Sequence, residues 1–194
     1  MALAMIISLI TTKLLPFFYI TIDLMIVVVV AVRKTQVMVH TLGTDSWRLI
    51  QDFPSLITGT TYLKSGKFVS GTINWLVCRG DWSIVSLDLR TVSYQQILPP
   101  DYGEEKFTFK LGVSRDCLCI LGDHVSQRVS DVWLMKEFEN RESWTKLVSF
   151  HSDHYYSINK VLYIFVDDQL LLEVMKLGLV VYDPINNTLK IQDL

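Results

Sequence analysis

Two cysteines and a histidine are the residues whose types and spacing come nearest to a metal site. Cys117 and Cys119 flank Leu118 on a predicted strand, where alternate residues share a face, and His124 follows nearby. Thiolate and imidazole groups bind zinc, but a structural zinc site needs four ligands in tetrahedral geometry, and a fourth is not apparent. We therefore interpret the cysteines as small buried apolar side chains and predict no metal site.

A second candidate is Gly66-Lys67, which matches the end of the phosphate-binding pattern G-x-x-x-x-G-K-[ST]. Thr61 stands where the pattern requires its first glycine, and Phe68 replaces the hydroxyl that would bind Mg²⁺. A loop without these two residues cannot hold a phosphate. We reject a nucleotide site here and predict no cofactor.

A third candidate is the pair His151 and His154, which lies in a polar segment. On a strand the two imidazoles would point to opposite faces, so joint binding of a metal would need a turn. The motifs G-x-S-x-G, H-E-x-x-H and G-x-G-x-x-G do not occur in the sequence. We predict a solvated loop at 151–154, no catalytic residues, and a protein that is not an enzyme.

The composition narrows the classes of partner. Half of the 194 residues are apolar and a fifth are charged, which is typical of a folded domain with a packed core. The 18 basic and 20 acidic residues leave no positive surplus for phosphates, so we predict no nucleic-acid partner. Three cysteines do not make a disulfide framework, and this favours a reducing compartment, the cytoplasm or the nucleus.

The first 32 residues are apolar and carry two charged side chains, Lys13 and Asp23. One interpretation is a transmembrane helix over residues 14–32 that anchors a β-domain, although Asp23 near the bilayer centre would cost about 2.5–3.5 kcal/mol. The other is a buried strand over Met25–Val32, which its β-branched residues favour. We prefer the strand, and we divide the chain into an apolar, helical tail (1–21) and a domain (22–194).

A repeat organises the chain beyond residue 33. Four segments share one layout: a strand, a polar turn, and a second strand that opens with a large apolar residue. These opening residues are spaced by 47, 50 and 45 positions, at Trp47, Tyr94, Trp144 and Leu189. Further pairs of short strands with turns between them precede the second, third and fourth segments.

Four strands at this period are typical of a propeller blade. We therefore predict an all-β fold, an antiparallel meander of four-stranded blades that forms a partial β-propeller. The repeat supplies about three complete blades and part of a fourth, whereas propellers close with 4–8 blades. We expect a chain that is truncated at its N-terminal side, and a non-functional fragment is one alternative.

Aromatic residues supply the candidate contact sites. Trp47, Trp75, Trp133 and Trp144 fall within strand patterns and should pack between blades. Trp82 instead follows Arg79-Gly80-Asp81 in a predicted turn. Because tryptophan, tyrosine and arginine are favoured in binding hot spots, we predict contact with a partner protein at a set of residues in two loops: Arg79, Trp82, Tyr102, Tyr155 and Tyr156. The alternative for each ring is that it folds back over a blade edge.

Several segments together resemble the F-box-associated interaction domain of plant F-box and F-box/kelch proteins. They include VMVHTLGTDSWRLIQDFP (37–54), FVSGTINWLV (68–77), IVSLDLRTVSYQQILPPDYG (84–103), LGVSRDCLCILGDH (111–124) and LVVYDPINNTLKI (179–191). The resemblance covers about residues 22–194.

The resemblance implies a substrate-recognition module of an SCF-type ubiquitin ligase, whose partner is the protein to be ubiquitinated. In this family an F-box docks the ligase adaptor, and no F-box precedes residue 22, so adaptor binding is expected only if an F-box is restored. The first blades of the family are missing as well. The family has no catalytic residues in this domain. The runner-up is the membrane-anchored β-domain, and a glycan-binding or hydrolytic propeller would need an acidic axial pocket that the sequence does not display.

Overall fold

The structure is a computed structural model that describes residues 17–22, 25–31, 35–41, 47–50, 52–54, 66–103, 107–124, 126–127, 129–151 and 158–192. For the strands within 17–31 and for residues 35, 36, 41 and 79, it describes the backbone alone. These residues form four antiparallel sheets, each made of four strands that are consecutive in the chain. The predicted all-β meander of four-stranded blades is therefore confirmed.

The strands are β1 (Phe17–Ile22), β2 (Met25–Ala31), β3 (Thr35–Thr41), β4 (Trp47–Leu49), β5 (Lys67–Val69), β6 (Thr72–Arg79), β7 (Asp81–Asp88), β8 (Ser93–Ile97), β9 (Phe107–Ser114), β10 (Cys117–His124), β11 (Val129–Met135), β12 (Trp144–His151), β13 (Ile158–Ile164), β14 (Leu170–Val174), β15 (Gly178–Asp183) and β16 (Thr188–Ile191).

The first sheet (β1–β4) corrects the interpretation of the apolar N-terminal segment. β1 and β2 are antiparallel partners, in which Phe17 lies opposite Val30 and Ile22 opposite Met25. A single helix over 14–32 is therefore wrong, because the run of β-branched residues in β2 fits a pleated strand better than a helix. The described residues contain no helix with the length and apolar character that a bilayer crossing requires.

The same two strands change the expected blade count and the expected tail. β1 and β2 complete the first sheet, so the described residues contain four complete blades rather than three and a part. Residues 17–21 of the predicted helical tail are strand, and β1 crosses the boundary at 21/22. The prediction for residues 1–16 lies outside the described residues, and the division into tail and domain stays a prediction.

The turn after the third strand of a sheet is built in the same way in the second and fourth sheets. Asp88 Oδ1 accepts hydrogen bonds from the backbone N–H groups of Arg90 (2.7 Å) and Thr91 (3.0 Å). Asp183 Oδ1 accepts the equivalent bonds from Ile185 (2.9 Å) and Asn186 (3.1 Å). In the sequence, Asp88 precedes Tyr94 by six positions, and Asp183 precedes Leu189 by six. An aspartate whose side chain bonds the backbone two or three residues ahead favours a turn, which explains this shared position in the repeat.

Three apolar clusters hold neighbouring sheets together. The first sheet packs on the second (β5–β8), the second on the third (β9–β12), and the third on the fourth (β13–β16). Strand β10 contributes side chains to two of these cores. Leu118 and Ile120 belong to the core shared with the second sheet, whereas Cys119 and Leu121 belong to the core shared with the fourth. Residues 118–121 of β10 are therefore apolar in succession, because side chains on both faces of the strand enter a core.

The third and fourth sheets are also joined by polar contacts. The Ser114 hydroxyl accepts a hydrogen bond from the backbone N–H of Ile164 at 2.7 Å, and both residues are buried. In the middle of β9, Lys110 Nζ donates a hydrogen bond to the Ile158 carbonyl at 2.7 Å and pairs with the Asp123 carboxylate at 3.0 Å. These bonds satisfy polar groups that the packing would otherwise leave buried without partners.

The strand directions define two ends of the sheet array. The turn from β6 to β7 at Gly80 lies at one end. Strands β8 and β12 end there, and strands β9 and β13 begin there. We call this the interblade-loop end, because chain passes here from one sheet to the next. The turn between β10 and β11, which contains residues 126–127, lies at this end too. The opposite end carries the other turns within the second and third sheets, at 70–71, 89–92 and 115–116, and the loop 136–143, which ends in a single 3₁₀ turn at Arg141–Ser143.

Candidate protein-binding surface

The tight turn at Gly80 sends neighbouring residues to opposite faces of the second sheet. β6 ends at Arg79, which pairs with Asp81 across a glycine whose φ of +83° favours residues without a Cβ. Asp81 is exposed and lines a groove on the side of the first sheet. Trp82 packs on the side of the third sheet. The predicted contact through the Arg79 side chain lies outside what the structure describes.

Trp82 is a half-buried residue of β7 rather than a turn residue. Its indole Nε1 donates a hydrogen bond to the Phe107 carbonyl at 3.1 Å, and its ring meets the edge of Phe109 at a centroid distance of 5.4 Å. The prediction that Trp82 lies in a turn is therefore wrong. A strand that begins one residue after Gly80 places the indole against the next sheet, and its role in partner binding stays a prediction.

Tyr102 lies in the same aromatic cluster. Its ring centroid is 4.4 Å from Phe107, 4.6 Å from Phe109 and 5.3 Å from Trp133. Burial, together with the negative charge of Asp131, raises the pKa of the Tyr102 hydroxyl, so the group stays protonated at neutral pH. This geometry supports a packing role in which Tyr102 covers the junction between the second and third sheets.

The four strand tryptophans were predicted to pack between blades. Trp75 is fully buried in the core between the first and second sheets, and Trp144 is buried between the second and third. Trp133 is half-buried against that second core. Trp47 is half-buried and contacts the ring of His40 within its own sheet, at 4.9 Å.

The predicted residues therefore divide into two groups. Trp82 and Tyr102 are brought together through their shared contact with Phe109, at the interblade-loop end. Tyr155 and Tyr156 lie outside the described residues. The strands that flank those two tyrosines, β12 and β13, end and begin at that same end of the array.

A buried charge network near the interblade-loop end was missed by the sequence analysis. The Asp131 carboxylate is buried in β11 and accepts hydrogen bonds from Ser149 Oγ (2.6 Å) and Lys146 Nζ (2.7 Å), with His124 Nε2 at 3.6 Å. Burial by itself raises the pKa of Asp131, but the bonds from Lys146 and Ser149 outweigh it and lower that pKa below its ordinary value. The bonds from Lys146 and Ser149 to Asp131 join the outer strand β12 to β11.

The cysteines are structural in the described residues. Cys119 is buried in the core between the third and fourth sheets, as predicted for a small apolar side chain, and burial raises the pKa of its thiol to about 12. Cys117 is half-buried, and burial raises the pKa of its thiol too. The described part of the chain contains no group of three or more His, Cys, Asp or Glu residues placed to hold a metal ion.

A groove of about 370 Å³ lies on the face of the second sheet that packs toward the first. Its described lining combines apolar surface with polar groups, from Pro54, Val77, Asp81, Ser83, Val85, Tyr94, Gln95 and Gln96. Tyr94, one of the lining residues, contacts Phe53 edge-on at 5.8 Å, and Phe53 contacts Trp75 edge-on at 5.4 Å. A groove of this size with a few polar groups is suited to one side chain or a short peptide segment.

The comparisons with known proteins agree with the repeat and the sheets. The family model described as the F-box associated beta propeller domain matches residues 19–190. An F-box/kelch-repeat protein of Arabidopsis thaliana is 31% identical over 119 residues, which cover 60% of this chain and 32% of that protein. The F-box protein CPR1 of Arabidopsis thaliana is 27% identical over 128 residues, which cover 58% of this chain and 31% of that protein.

The chain spans about a third of the length of these two relatives. The family model, in contrast, matches most of the chain, from within β1 to within β16. The matched range therefore contains nearly all the residues that build the four sheets. The chain belongs to the F-box associated beta propeller domain family.

Proposed function

We propose that this chain is the target-recognition part of an F-box-type subunit of an SCF ubiquitin ligase. It binds a protein and holds it for ubiquitination, and it catalyses no reaction itself. The observation that carries the proposal is the family match over residues 19–190, together with two relatives that are F-box proteins. The near-neutral charge of the chain also favours a protein partner over a nucleic acid.

We place the binding surface at the interblade-loop end. The three cores between sheets supply a rigid base, and loops on a rigid base are where binding residues concentrate. The groove beside Asp81 and the cluster of Trp82 and Tyr102 both reach this end. Contact by Arg79, Tyr155 and Tyr156 would extend the same surface, since β6 ends at Arg79 at this end, and the strands that flank the two tyrosines end and begin there.

We assign adaptor binding to an F-box and not to residues 19–190. The match in that range is to the propeller domain, and the two relatives are named for an F-box as well. Capture of the target protein is then the part of the ligase function that these sheets perform. We place the protein in the cytoplasm or the nucleus, where free cysteines such as Cys119 stay reduced.

Matched substitutions at the two ends of the array test this proposal. Arg79→Glu with Ser126→Arg alters the interblade-loop end, and Arg90→Glu with Ser70→Arg makes the same changes at the opposite end. The tagged full chain and both variants are used to capture proteins from extract of the source cells, with quantification by mass spectrometry. We expect a set of proteins that the first variant loses and the second retains.

Equal recovery by both variants, or selective loss by the opposite-end variant, contradicts the proposed surface. Recovery of no protein above background by the wild-type chain supports the alternative of a non-functional fragment. Circular dichroism of each variant shows whether the sheets are intact, so that loss of the fold is not mistaken for loss of contact.

A further inference from the structure

We propose that the groove on the second sheet binds an arginine side chain of the partner protein, with its guanidinium group on the Asp81 carboxylate. The inference rests on the proposed function and adds to it the chemistry that this part of the surface recognises. It assigns a role to Asp81, which the candidate residues from the sequence did not include.

The dimensions of the groove fit one long side chain. Its volume of about 370 Å³ is at the small end of the range for ligand sites, roughly 300–1,000 Å³. Val77 and Val85 are buried and form an apolar wall. Ser83 and Gln96 add hydroxyl and amide groups to the lining. A side chain with a methylene stem and a polar head matches this combination, because the stem covers apolar surface while the head meets polar groups.

The charge of the groove selects a cation. Asp81 is exposed and makes no salt bridge of 4.0 Å or less with any described residue. Among the described residues that line the groove, Asp81 is the one charged side chain, and none of them is lysine, arginine or histidine. A carboxylate at the margin of an apolar groove is therefore complementary to a cationic head group, and charge complementarity of this kind gives an interface its specificity.

Arginine fits this site better than lysine because of the shape of its head group. Its planar guanidinium group can make two parallel hydrogen bonds to one carboxylate, whereas the lysine ammonium group acts as a point charge.

A titration with a small probe tests the inference on the full 194-residue chain. The probe is N-acetyl-arginine amide, and the control is N-acetyl-citrulline amide, which has nearly the same shape without the charge. We expect saturable shifts of the backbone amide signals of Ser83 and Val85 with the arginine probe and none with citrulline. Asp81→Asn should weaken binding by about tenfold or more, because it removes the charged acceptor.

Three results would overturn the inference. They are equal shifts with the citrulline control, unchanged binding by Asp81→Asn, and binding of N-acetyl-lysine amide as tight as that of the arginine probe. Asp101→Asn is the matched control, since Asp101 is an exposed aspartate beyond the end of β8 that is not among the described lining residues. It should bind the probe as the wild type does.

The two proposals fail in different ways. If the probe does not bind but the Arg79→Glu, Ser126→Arg variant still loses its captured proteins, the arginine site is wrong and the proposed function stands. If the probe binds but Asp81→Asn captures every protein at wild-type level, the groove is not the partner's site, and the inference is wrong for the complex.

Discussion

The indole of Trp82 donates a hydrogen bond to the main-chain carbonyl of Phe107 across 3.1 Å, and this bond joins the second sheet to the third. The donor is on β7 and the acceptor is the first residue of β9, so the bond fixes where the third sheet begins relative to the second. The same ring packs against Phe109, two residues further along β9. Trp82 thus holds together the two sheets whose loops form part of the candidate surface.

Replacing Trp82 should separate packing from hydrogen bonding. Trp82→Phe keeps an aromatic ring but removes the Nε1 donor, and we expect a loss of about 1 kcal/mol in the free energy of unfolding. Trp82→Ala also removes the ring and should cost more, up to about 3 kcal/mol, because the residue is half-buried rather than fully buried. Urea denaturation measures both values. Equal stability of Trp82→Ala and wild type would show that the ring does not support the junction.

Gly112 is a position where a single methyl group should disturb the core. A Cβ added to Gly112 would lie 2.8 Å from Cys119 Sγ, well inside van der Waals contact. We expect Gly112→Ala to lower the free energy of unfolding by about 1–3 kcal/mol through overpacking.

The partner substitution gives this prediction its control. Cys119→Ala removes the sulfur that the new methyl group would meet, so the double variant Gly112→Ala, Cys119→Ala should be more stable than the sum of the two single losses predicts. Strict additivity in denaturant titrations of the three variants would mean that the two side chains do not compete for space.

The three cysteines should differ in their reactivity. Thiolate is the reactive form, and burial raises the pKa of the Cys119 thiol to about 12, which leaves very little thiolate at neutral pH. We expect iodoacetamide to modify Cys119 last, after the half-buried Cys78 and Cys117. Mass spectrometry of timed samples gives the order. Equal rates for the three residues in urea serve as the control, and fast modification of native Cys119 would contradict its place in the core.

The stability of the protein should fall in acid, in part through Asp131. The folded-state pKa of this residue is lower than its unfolded value, so the unfolded state binds the proton more readily. The contribution of Asp131 is therefore fully present above the unfolded pKa of about 3.9 and is lost as the pH falls through the lower, folded-state pKa.

Asp131→Asn isolates this contribution. The variant should be less stable than wild type at neutral pH, because Lys146 and Ser149 lose a charged acceptor, and its stability should depend less on pH in the acid range. Denaturant titrations of both proteins at a series of pH values measure the difference. Parallel stability curves would show that Asp131 does not titrate differently in the folded state.

The sequence repeat made the architecture predictable, because its strand and turn patterns involve residues that are close in the chain. Trp47 and Trp144 each open the fourth strand of a sheet, and Tyr94 and Leu189 each stand second in that strand. The shared position of Asp88 and Asp183 was visible too, and the structure gives its reason, since both carboxylates bond the turn that follows. Strand and turn patterns depend on residues close in the chain, so a single sequence reveals them.

The contacts that build the candidate site join residues far apart in the sequence, so a local sequence pattern does not predict them. Trp82 was assigned to a turn because it follows Gly80, yet its indole donates a hydrogen bond to the carbonyl of Phe107, 25 positions later in the chain. The Asp131 network joins strands through Lys146 and Ser149 and has no motif. The groove combines residues of three strands of the second sheet with Pro54, so its lining could not be chosen from sequence spacing.

Hydrogen–deuterium exchange of the full chain, with and without a protein recovered by affinity capture, shows whether the interblade-loop end binds a partner protein. If the partner binds the interblade-loop end, exchange should slow at the Gly80 turn and at residues 98–103, and it should be unchanged at the turns 89–92 and 115–116. Protection confined to those opposite-end turns, with none at Gly80 or 98–103, would contradict the claim.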